Sequence, residues 1–244
     1  MIVTPPAHAV RESIPGPFAL YDELMRGHGA RLIEPEYLDS APEEEARQSL
    51  RDLERINRWS GGHRLARRLV GEFASASETF TLLDVGCGSG DMAAAIRAGF
   101  LRARVTSLDL DPLHVGAAAP PRVIADAFSL PFRARSYDFV FCSLFLHHFT
   151  DERIIALLAS FGEVSRHAVL AIDLERGPLA WHALAATRWL FHWHPITLHD
   201  GPVSVQAAFK LDELRRLAVQ AGLSGAVVRR HRPWARLSLA APTR

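Results

Sequence analysis

The chain has 244 residues, of which 48% are hydrophobic, and this is enough to bury one sizeable core with accessory segments. Its 28 basic residues nearly balance 27 acidic ones, and no basic stripe favours binding of nucleic acid through charge. Two cysteines without CxxC spacing argue against a disulfide framework or a zinc site, so we expect no metal. We expect a cytoplasmic protein, because the sequence shows neither a signal-peptide layout nor an apolar run of about 18 residues.

The first 77 residues precede the main fold. Residues 1–17 are rich in proline and are expected to be loosely ordered. Ser40 and Glu43 have the spacing of a capping box, which predicts a helix that begins near Ser40. A second helix is expected after the Gly61–Gly62 pair, because leucines recur there at helical spacing. We therefore predict an N-terminal tail and a helical cap over residues 1–77.

From residue 80 onward, short apolar runs alternate with helical segments. The expected strands are 80–85, 104–109, 122–125, 137–142 and 167–173, and the expected helices are 91–100, 151–160 and 211–222. This alternation predicts an α/β domain over residues 78–244, with a mostly parallel sheet and helices on both faces. Strand-like halves around Pro233 predict a strand pair that ends in an antiparallel edge.

The stretch LLDVGCGSGD, residues 82–91, combines a strand-like run with glycines at alternate positions. Gly86, Gly88 and Gly90 permit a sharp turn over which a ligand can lie directly on the backbone. The spacing is GxGxG, not the GxGxxG of dinucleotide sites, and no GK[ST] follows as a P-loop requires. A glycine turn alone is weak evidence, since it also makes an ordinary strand–helix connection.

Acidic residues stand at the ends of three predicted strands. Asp84, two residues before the first glycine, would repel a pyrophosphate and favours a cationic ligand such as S-adenosylmethionine. Asp109 can accept hydrogen bonds from both hydroxyls of a ribose, and Asp126 from the amino group of an adenine. Each acid alone could instead be a solvated loop residue, and Asp111 is expected to cap a helix.

In the order LLDVGCGSGD, SLDLDP, ADAFSLPF and YDFVFCSLFLHHFTDE, these segments resemble the motifs of class I S-adenosylmethionine-dependent methyltransferases. The resemblance covers residues 80–175 strongly and the C-terminal part more loosely. It implies a Rossmann-like, seven-stranded sheet whose last strand is antiparallel. It also implies S-adenosylmethionine as the cofactor.

The resemblance also implies which residues bind the cofactor. The first motif would surround the methionine part, the second would hold the ribose, the third would edge the adenine, and the end of the fourth strand would lie near the sulfonium. In that order, these residues are Asp84, Gly86, Cys87, Gly88 and Gly90; Asp109 and Leu110; Asp126 and Ala127; and Cys142 and Ser143. The fourth strand ends in Cys-Ser-Leu-Phe instead of NPPY, which disfavours DNA and exocyclic amines as acceptors.

The sequence LHHF follows the fourth predicted strand, where this fold faces the transferred methyl group. A phenol or hydroxyl acceptor reacts faster when it loses its proton, and histidine is the natural base near neutral pH. We name His148 and His147 as candidate catalytic residues and prefer His148. Helix capping or core packing is the more expected role for His147, and remains an even alternative for His148.

Two further segments bear on the ligands. In INRWSGGHR, Arg58 could reach the methionine carboxylate and Trp59 could cover the cofactor, although an ordinary helical corner would look the same. An insertion over about residues 176–205 contains Trp181, Trp189 and Trp193. It is expected to roof an aromatic or prenylated acceptor, although plain helix packing on the sheet remains open, and its composition also permits peripheral membrane contact.

The favoured function is methyl transfer to a small hydrophobic acceptor, phenolic or quinone-like, with O-methylation preferred to C-methylation. The chain is similar to bacterial methyltransferases of polyketide and quinone pathways in secondary metabolism. An RNA or protein methyltransferase, a non-catalytic subunit that binds S-adenosylmethionine, and a nicotinamide oxidoreductase remain alternatives. The sequence leaves open whether the protein is a monomer or a homodimer.

Overall fold

A computed structural model of the chain describes residues 31–243, so the predicted loose tail over residues 1–17 lies outside the described part. From Ile33 onward, the chain forms one compact unit. Its helices are α1 (Glu43–Trp59), α2 (Gly62–Val70), α3 (Asp91–Gly99), α4 (Pro112–Ala117), α5 (Asp151–Val164), α6 (Pro178–Phe191), α7 (Pro195–Ala207) and α8 (Leu211–Gln220). Short 3₁₀ turns span Tyr37–Ser40 and Leu146–His148.

The strands form one seven-stranded sheet in the order β3-β2-β1-β4-β5-β7-β6. They are β1 (Thr81–Val85), β2 (Arg104–Asp109), β3 (Arg122–Ile124), β4 (Tyr137–Ser143), β5 (Ser165–Leu174), β6 (Val227–His231) and β7 (Arg236–Pro242). The pairs among β1 to β5 are parallel, and β7 is antiparallel to both of its neighbours. The predicted Rossmann-like sheet with an antiparallel last strand is confirmed.

Each face of the sheet buries its own apolar cluster, because alternate side chains of a strand point to opposite faces. On one face, Val140 and Val169 pack with Leu157 of α5 and Leu217 of α8. On the other face, the side chains of β1, β4 and β5 pack with Leu69 of α2 and with the apolar side of α3. Helices on both faces leave the ends of the strands as the place where a ligand can bind.

The predicted capping box at Ser40 is wrong. Ser40 ends a 3₁₀ turn, and α1 begins at Glu43 after Pro42, whose side chain cannot cap it. Pro42 has an extended backbone, with φ −56° and ψ 147°. The first turn instead carries three consecutive glutamates from Glu43, which complement the positive end of the helix dipole.

The carboxyl ends of β1 and β4 meet at the point where the strand order reverses, and ligands of such sheets bind in the crevice there. The glycine turn follows β1, and the 3₁₀ turn Leu146–His148 follows β4. The segment of residues 33–40, which we call the strap, and helices α6 and α7 of the predicted insertion complete this part of the molecule. Within residues 31–243, no helix has the length and apolar character needed to cross a membrane.

Candidate active site

The glycine turn after β1 requires glycine for two measurable reasons. Gly86 and Gly90 have left-handed φ angles of +65° and +77°, which side chains rarely adopt. A Cβ atom on Gly86 would lie 2.3 Å from the Phe145 ring, and one on Gly90 would lie 2.5 Å from Cβ of Ala118. The turn is therefore held closely against the segment that follows β4.

Asp84 and Ser143 carry the polar atoms that most directly indicate a ligand at this crevice. Asp84 is only 1% exposed, and its Oδ2 has no hydrogen-bond partner among the described residues. Burial, together with the charges of Asp91 and Asp109, raises the pKa of Asp84 well above its usual range. The Ser143 Oγ, at the end of the adjacent strand, is likewise buried without a partner. Such groups are costly unless something satisfies them, and a ligand with an ammonium and a sulfonium has the required charge.

Asp109 ends β2 beside the turn. Its Oδ2 accepts a hydrogen bond from the Gly88 N–H at 2.9 Å, and its Oδ1 accepts one from the Asp111 N–H at 3.1 Å. Each carboxylate oxygen has a further lone pair that can accept from a ribose hydroxyl. Asp111 caps α4 by accepting from the Leu113 N–H at 2.7 Å. The structure thus places Asp109, but not Asp111, against the glycine turn.

The predicted adenine-binding residues lie farther along the same edge of the sheet. Asp126 follows β3, is exposed, and accepts a hydrogen bond from the Phe128 N–H at 2.9 Å. Ala127 is buried in the core. Leu110 is 66% exposed and presents an apolar surface next to Asp109. An exposed leucine beside two strand-end acids suits a flat ring with a polar edge.

Both cysteines are free thiols that serve packing. Cys142 is 1% exposed and faces the core on the α5 side of the sheet, while Cys87 packs with Val115 and Ala118. Burial raises the pKa of each thiol. The two sulfur atoms thus face the protein interior.

Arg58, the predicted partner of the methionine carboxylate, lies on the exposed side of α1. Its side chain is 72% exposed and lies 4.0 Å from Glu54, one turn back on α1. A buried cation nearer to the glycine turn is Arg236, the first residue of β7, which donates to the Asn57 Oδ1 at 2.8 Å. Asn57 in turn donates to Asp91, the first residue of α3, at 2.9 Å. Arg236 is 2% exposed, and its Nη1 has no partner among the described residues.

The turn after β4 is organised by Asp173, near the end of β5. One oxygen of Asp173 accepts from the Leu146 N–H at 3.0 Å, and the other lies 2.7 Å from Nδ1 of His147. His147 is 3% exposed. It is therefore a buried histidine fixed by a carboxylate, which was the more expected of its two roles.

The strap brings a third charged group to this turn. Glu36 Oε1 lies 3.7 Å from Nε2 of His147, an ion-pair distance, and accepts a hydrogen bond from Ser204 of α7. The strap is fastened next to Glu36, because the N–H groups of Tyr37 and Leu38 donate to the two oxygens of Asp200 at 2.9 and 3.0 Å. Helix α7 therefore determines where Glu36 lies.

His148 stacks on His147, with ring centroids 4.3 Å apart. Burial of His147 lowers its pKa, but the charge and hydrogen bond of Asp173, followed by Glu36, outweigh this and raise the pKa to about 10. His147 is thus a cation at neutral pH. Burial, and next the charge of His147, lower the pKa of His148 from 6.5. The lowered pKa favours the neutral ring of His148, which is the form that a general base requires.

A cavity of about 40 Å³ lies between the strap, α1 and α7. Its lining combines apolar and polar groups, namely Glu36, Leu38, Ser49, Leu53, Ile56, Thr197, Asp200, Gly201 and Ser204. The volume is far below the 300–1,000 Å³ typical of ligand pockets. A larger hollow of about 640 Å³ lies at the opposite edge of the sheet, and Glu163 is the ionisable side chain in its lining.

The aromatic residues of the insertion mostly pack within the protein. Trp181 and Trp193 are each 7% exposed, and Trp193 stacks on Phe191 at 4.8 Å. Trp59 meets Phe191 edge-on at 5.3 Å and is 64% exposed. Trp189 is 78% exposed. The contacts of Trp193 support the packing role that the sequence had left open.

Sequence reasoning did not identify Glu36, Asp173, Asp200 or Arg236. Asp173 had a usable signal, since it ends the apolar run AVLAID just as Asp84 and Asp109 end theirs. Glu36 and Asp200 had none, because their roles arise from contacts between distant segments. The Tyr37–Asp200 hydrogen bond, for example, spans 163 residues.

Comparison with known proteins agrees with this geometry. A family model described as a methyltransferase domain matches residues 83–166. The chain is 29% identical over 155 residues to a malonyl-[acyl-carrier protein] O-methyltransferase of Hahella chejuensis, a match that covers 59% of this chain and 50% of that protein. The chain thus spans about half the length of the curated relative that it matches.

Two solved structures resemble the fold over most of both chains. The plantazolicin methyltransferase BamL, in complex with a triazolic desmethylPZN analog and SAH, has a TM-score of 0.62 at 13% identity, covering 85% of this chain and 93% of that one. Magnesium protoporphyrin IX methyltransferase from Synechocystis PCC 6803, with bound SAH, has a TM-score of 0.53 at 16% identity, covering 93% and 94%. Residues 83–166 thus match a methyltransferase domain, and the fold is that of these two methyltransferases, each crystallised with SAH, in agreement with the class I fold that the motifs predicted.

Proposed function

We propose that the protein transfers a methyl group from S-adenosylmethionine to an oxygen of a small, hydrophobic, phenolic or quinone-like acceptor. The observation that carries the proposal is the pair of unpartnered buried oxygens, on Asp84 and Ser143, beside the turn that holds His148. The first two suit a cationic donor, and the third suits removal of a proton from an acceptor hydroxyl.

S-adenosylmethionine supplies an electrophilic methyl group on a sulfonium, and the transfer is an in-line displacement at carbon. Asp109 would orient the ribose through its two oxygens, and Asp84 would balance the positive charge of the donor. His148 would take the proton of the acceptor hydroxyl as the carbon–oxygen bond forms and the carbon–sulfur bond breaks. Positioning the oxygen in line with the methyl group supplies much of the rate enhancement.

The acceptor would enter between the cap and the insertion, where α1 and α7 already face each other. Ser49 Oγ of α1 lies 3.2 Å from Oγ1 of Thr197 of α7, at the edge of the small cavity. A lining with both carboxylates and leucines suits a compact ring that bears hydroxyl groups. The O-methyltransferase in the name of the curated relative also favours oxygen over carbon as the methylated atom.

We further propose that the protein acts in the cytoplasm on a free small molecule, without nucleic acid as a partner. The near balance of 28 basic and 27 acidic residues supports the absence of a nucleic-acid partner. The exposed Trp189 with Arg188 stacked over it at 4.8 Å is the feature that would support peripheral membrane contact.

The test begins with calorimetry of the purified protein with S-adenosylmethionine and with its demethylated product. Methyl transfer is then measured by mass spectrometry over a panel of phenols and quinols. We expect binding of both cofactor forms, and turnover that falls by about 100-fold or more in His148→Ala. The matched control is His167→Ala, a histidine that is 62% exposed at the start of β5. Binding without methylation of any panel member would favour a non-catalytic subunit or a macromolecular substrate, and a loss under threefold in His148→Ala would remove this residue from the mechanism.

A further inference from the structure

The ring that stacks on His148 lies between two carboxylates. Asp173 of β5 lies 2.7 Å from Nδ1 of His147, and Glu36 of the strap lies 3.7 Å from Nε2 of the same ring. The side chains of all three are at most 10% exposed. One imidazole between two carboxylates is held as a cation, because each ring nitrogen has a negative partner.

The same ring sets the position of His148. The two imidazoles stack with centroids 4.3 Å apart and planes inclined by 29°. The flanking backbone restricts His148 as well, since Leu144 has a left-handed φ of +52° and the Leu146 N–H is bound to Asp173. Because the His147 ring is held in place and stacks on His148, the His148 ring has a narrow range of orientations.

We propose that Asp173, His147 and Glu36 form a charge triad that positions the His148 ring for proton abstraction, with Glu36 as the member that the strap adds. This inference rests on the proposed function, because it assigns to His148 the role of base. Glu36 and His147 are positioning residues and act through His148. The strap thereby links the acceptor side of the site to α7, through Ser204 and Asp200.

His147 and Glu36 shift the pKa of His148 in opposite directions. The charges that act on His148 come from His147 beside it, from Glu36 and Asp39 of the strap, and from Asp173 of β5. The cation of His147 opposes protonation of His148, whereas the three carboxylates favour it. Removal of His147 should therefore raise the pKa of His148, and removal of Glu36 should lower it.

Glu36, His147 and His148 also form a cluster whose ligand atoms could bind a metal ion. A metal ion would bind in the plane of each ring, along the lone pair of a nitrogen. The stack places those planes side by side, and His147 already carries a proton on both nitrogens in the state that its two acids favour. The observations therefore favour the triad, and metal binding becomes an outcome of the test.

The experiment is an NMR pH titration of the protein labelled with ¹³C at histidine Cε1, in which His148→Gln identifies the His148 signal among 12 histidines. In the unaltered protein we expect a midpoint below 6.5 for His148. In His147→Gln the midpoint should rise by about one pH unit, and in Glu36→Gln it should fall by about half a unit. His167→Gln, in which an exposed histidine is replaced, should leave it unchanged.

Midpoints that stay within about 0.2 units of the parent in both variants, or that move in the same direction, would overturn the triad. Circular dichroism checks that each variant is folded. If His147→Gln does not fold, the shift in Glu36→Gln alone decides the test. Saturable zinc binding in calorimetry, lost in both Glu36→Gln and His148→Gln, would overturn it in favour of a metal site. The titration needs no acceptor, so the two failures are distinguishable: a protein with these shifts that methylates nothing refutes the proposed function and the role of His148 as base, but keeps the coupling of Glu36 and His147 to His148.

Discussion

The turns after β1 and β4 face the same crevice but are built in different ways. The turn after β1 takes its shape from neighbouring residues, with Gly86 and Gly90 at left-handed φ angles and Asp109 bound to the Gly88 N–H. The turn after β4 takes its shape from Asp173 on the next strand, and beyond it from Glu36 on the strap. The turn after β1 is thus determined locally, whereas the turn after β4 depends on tertiary contacts. Following the proposed function, we call them the donor side and the acceptor side.

This difference suits the two ligands. Under the proposed function, the donor is bound by a short motif whose shape follows from neighbouring residues. The acceptor is met by the strap and α7, whose positions depend on contacts between distant segments. Mutations on the two sides should therefore have separable effects, with donor affinity changing on one side and pH dependence on the other.

The largest effect on donor affinity is expected for Asp109→Ala. The loss of two charge-assisted hydrogen bonds to a ribose should weaken S-adenosylmethionine binding by about 100-fold or more, as measured by calorimetry. The control is Asp111→Ala, which removes the cap of α4 and should change affinity by less than about threefold. Unchanged binding in a folded Asp109→Ala protein would refute the ribose role and, with it, the local origin of the donor side.

On the acceptor side, the contribution of Glu36 to the free energy of unfolding should depend on pH. Burial raises the pKa of Glu36, but the hydrogen bond with His147, followed by the charges of His148 and His147, lowers it from 4.5 to about 2. This contribution is present above pH 4.5 and is lost as the pH falls toward 2. Glu36→Gln should therefore cost about 3 kcal/mol at pH 7 and progressively less below pH 4.5.

Urea unfolding at a series of pH values measures this cost. Glu43→Gln is the matched control, since the carboxylate of Glu43 is 68% exposed and its ion pair with Arg47 on the same helix should contribute little at any pH. A difference between the parent and Glu36→Gln that stays constant from pH 7 to 3 would contradict the ionic role of Glu36.

The contribution of Asp84 to stability should depend on pH in the opposite sense to that of Glu36. Its pKa is raised by burial and by neighbouring acids, so its contribution to stability is greatest below pH 3.8 and declines as the pH rises. Without donor, Asp84→Asn should raise the free energy of unfolding at pH 7 by about 1 kcal/mol, while donor affinity falls. The exposed Asp126→Asn serves as control and should change stability by less than about 0.5 kcal/mol. A destabilised Asp84→Asn protein would show that this carboxylate has a structural role.

The same contrast explains what could be predicted from the sequence. All five strands predicted from β1 to β5, and the glycine turn, follow from apolar runs and from residues adjacent in the chain. The start of α1 was misplaced because Ser40 belongs to a 3₁₀ turn of the strap, whose position depends on Asp200. No local pattern encodes that contact. The preference for His148 over His147 came from the resemblance to other methyltransferases, and no local pattern shows that His147 is paired with Asp173.

The smallest effect is expected for Arg58→Ala. The Arg58 guanidinium is 72% exposed, and its nearest acid, Glu54, is 4.0 Å away on the same helix, so this ion pair should contribute almost nothing. Donor affinity should change by less than about twofold. Arg236→Met is the informative partner, because it removes the buried cation that reaches Asp91 through Asn57. If Arg58→Ala weakened binding tenfold while Arg236→Met did not, the donor side would depend on the cap helix and would no longer be locally determined.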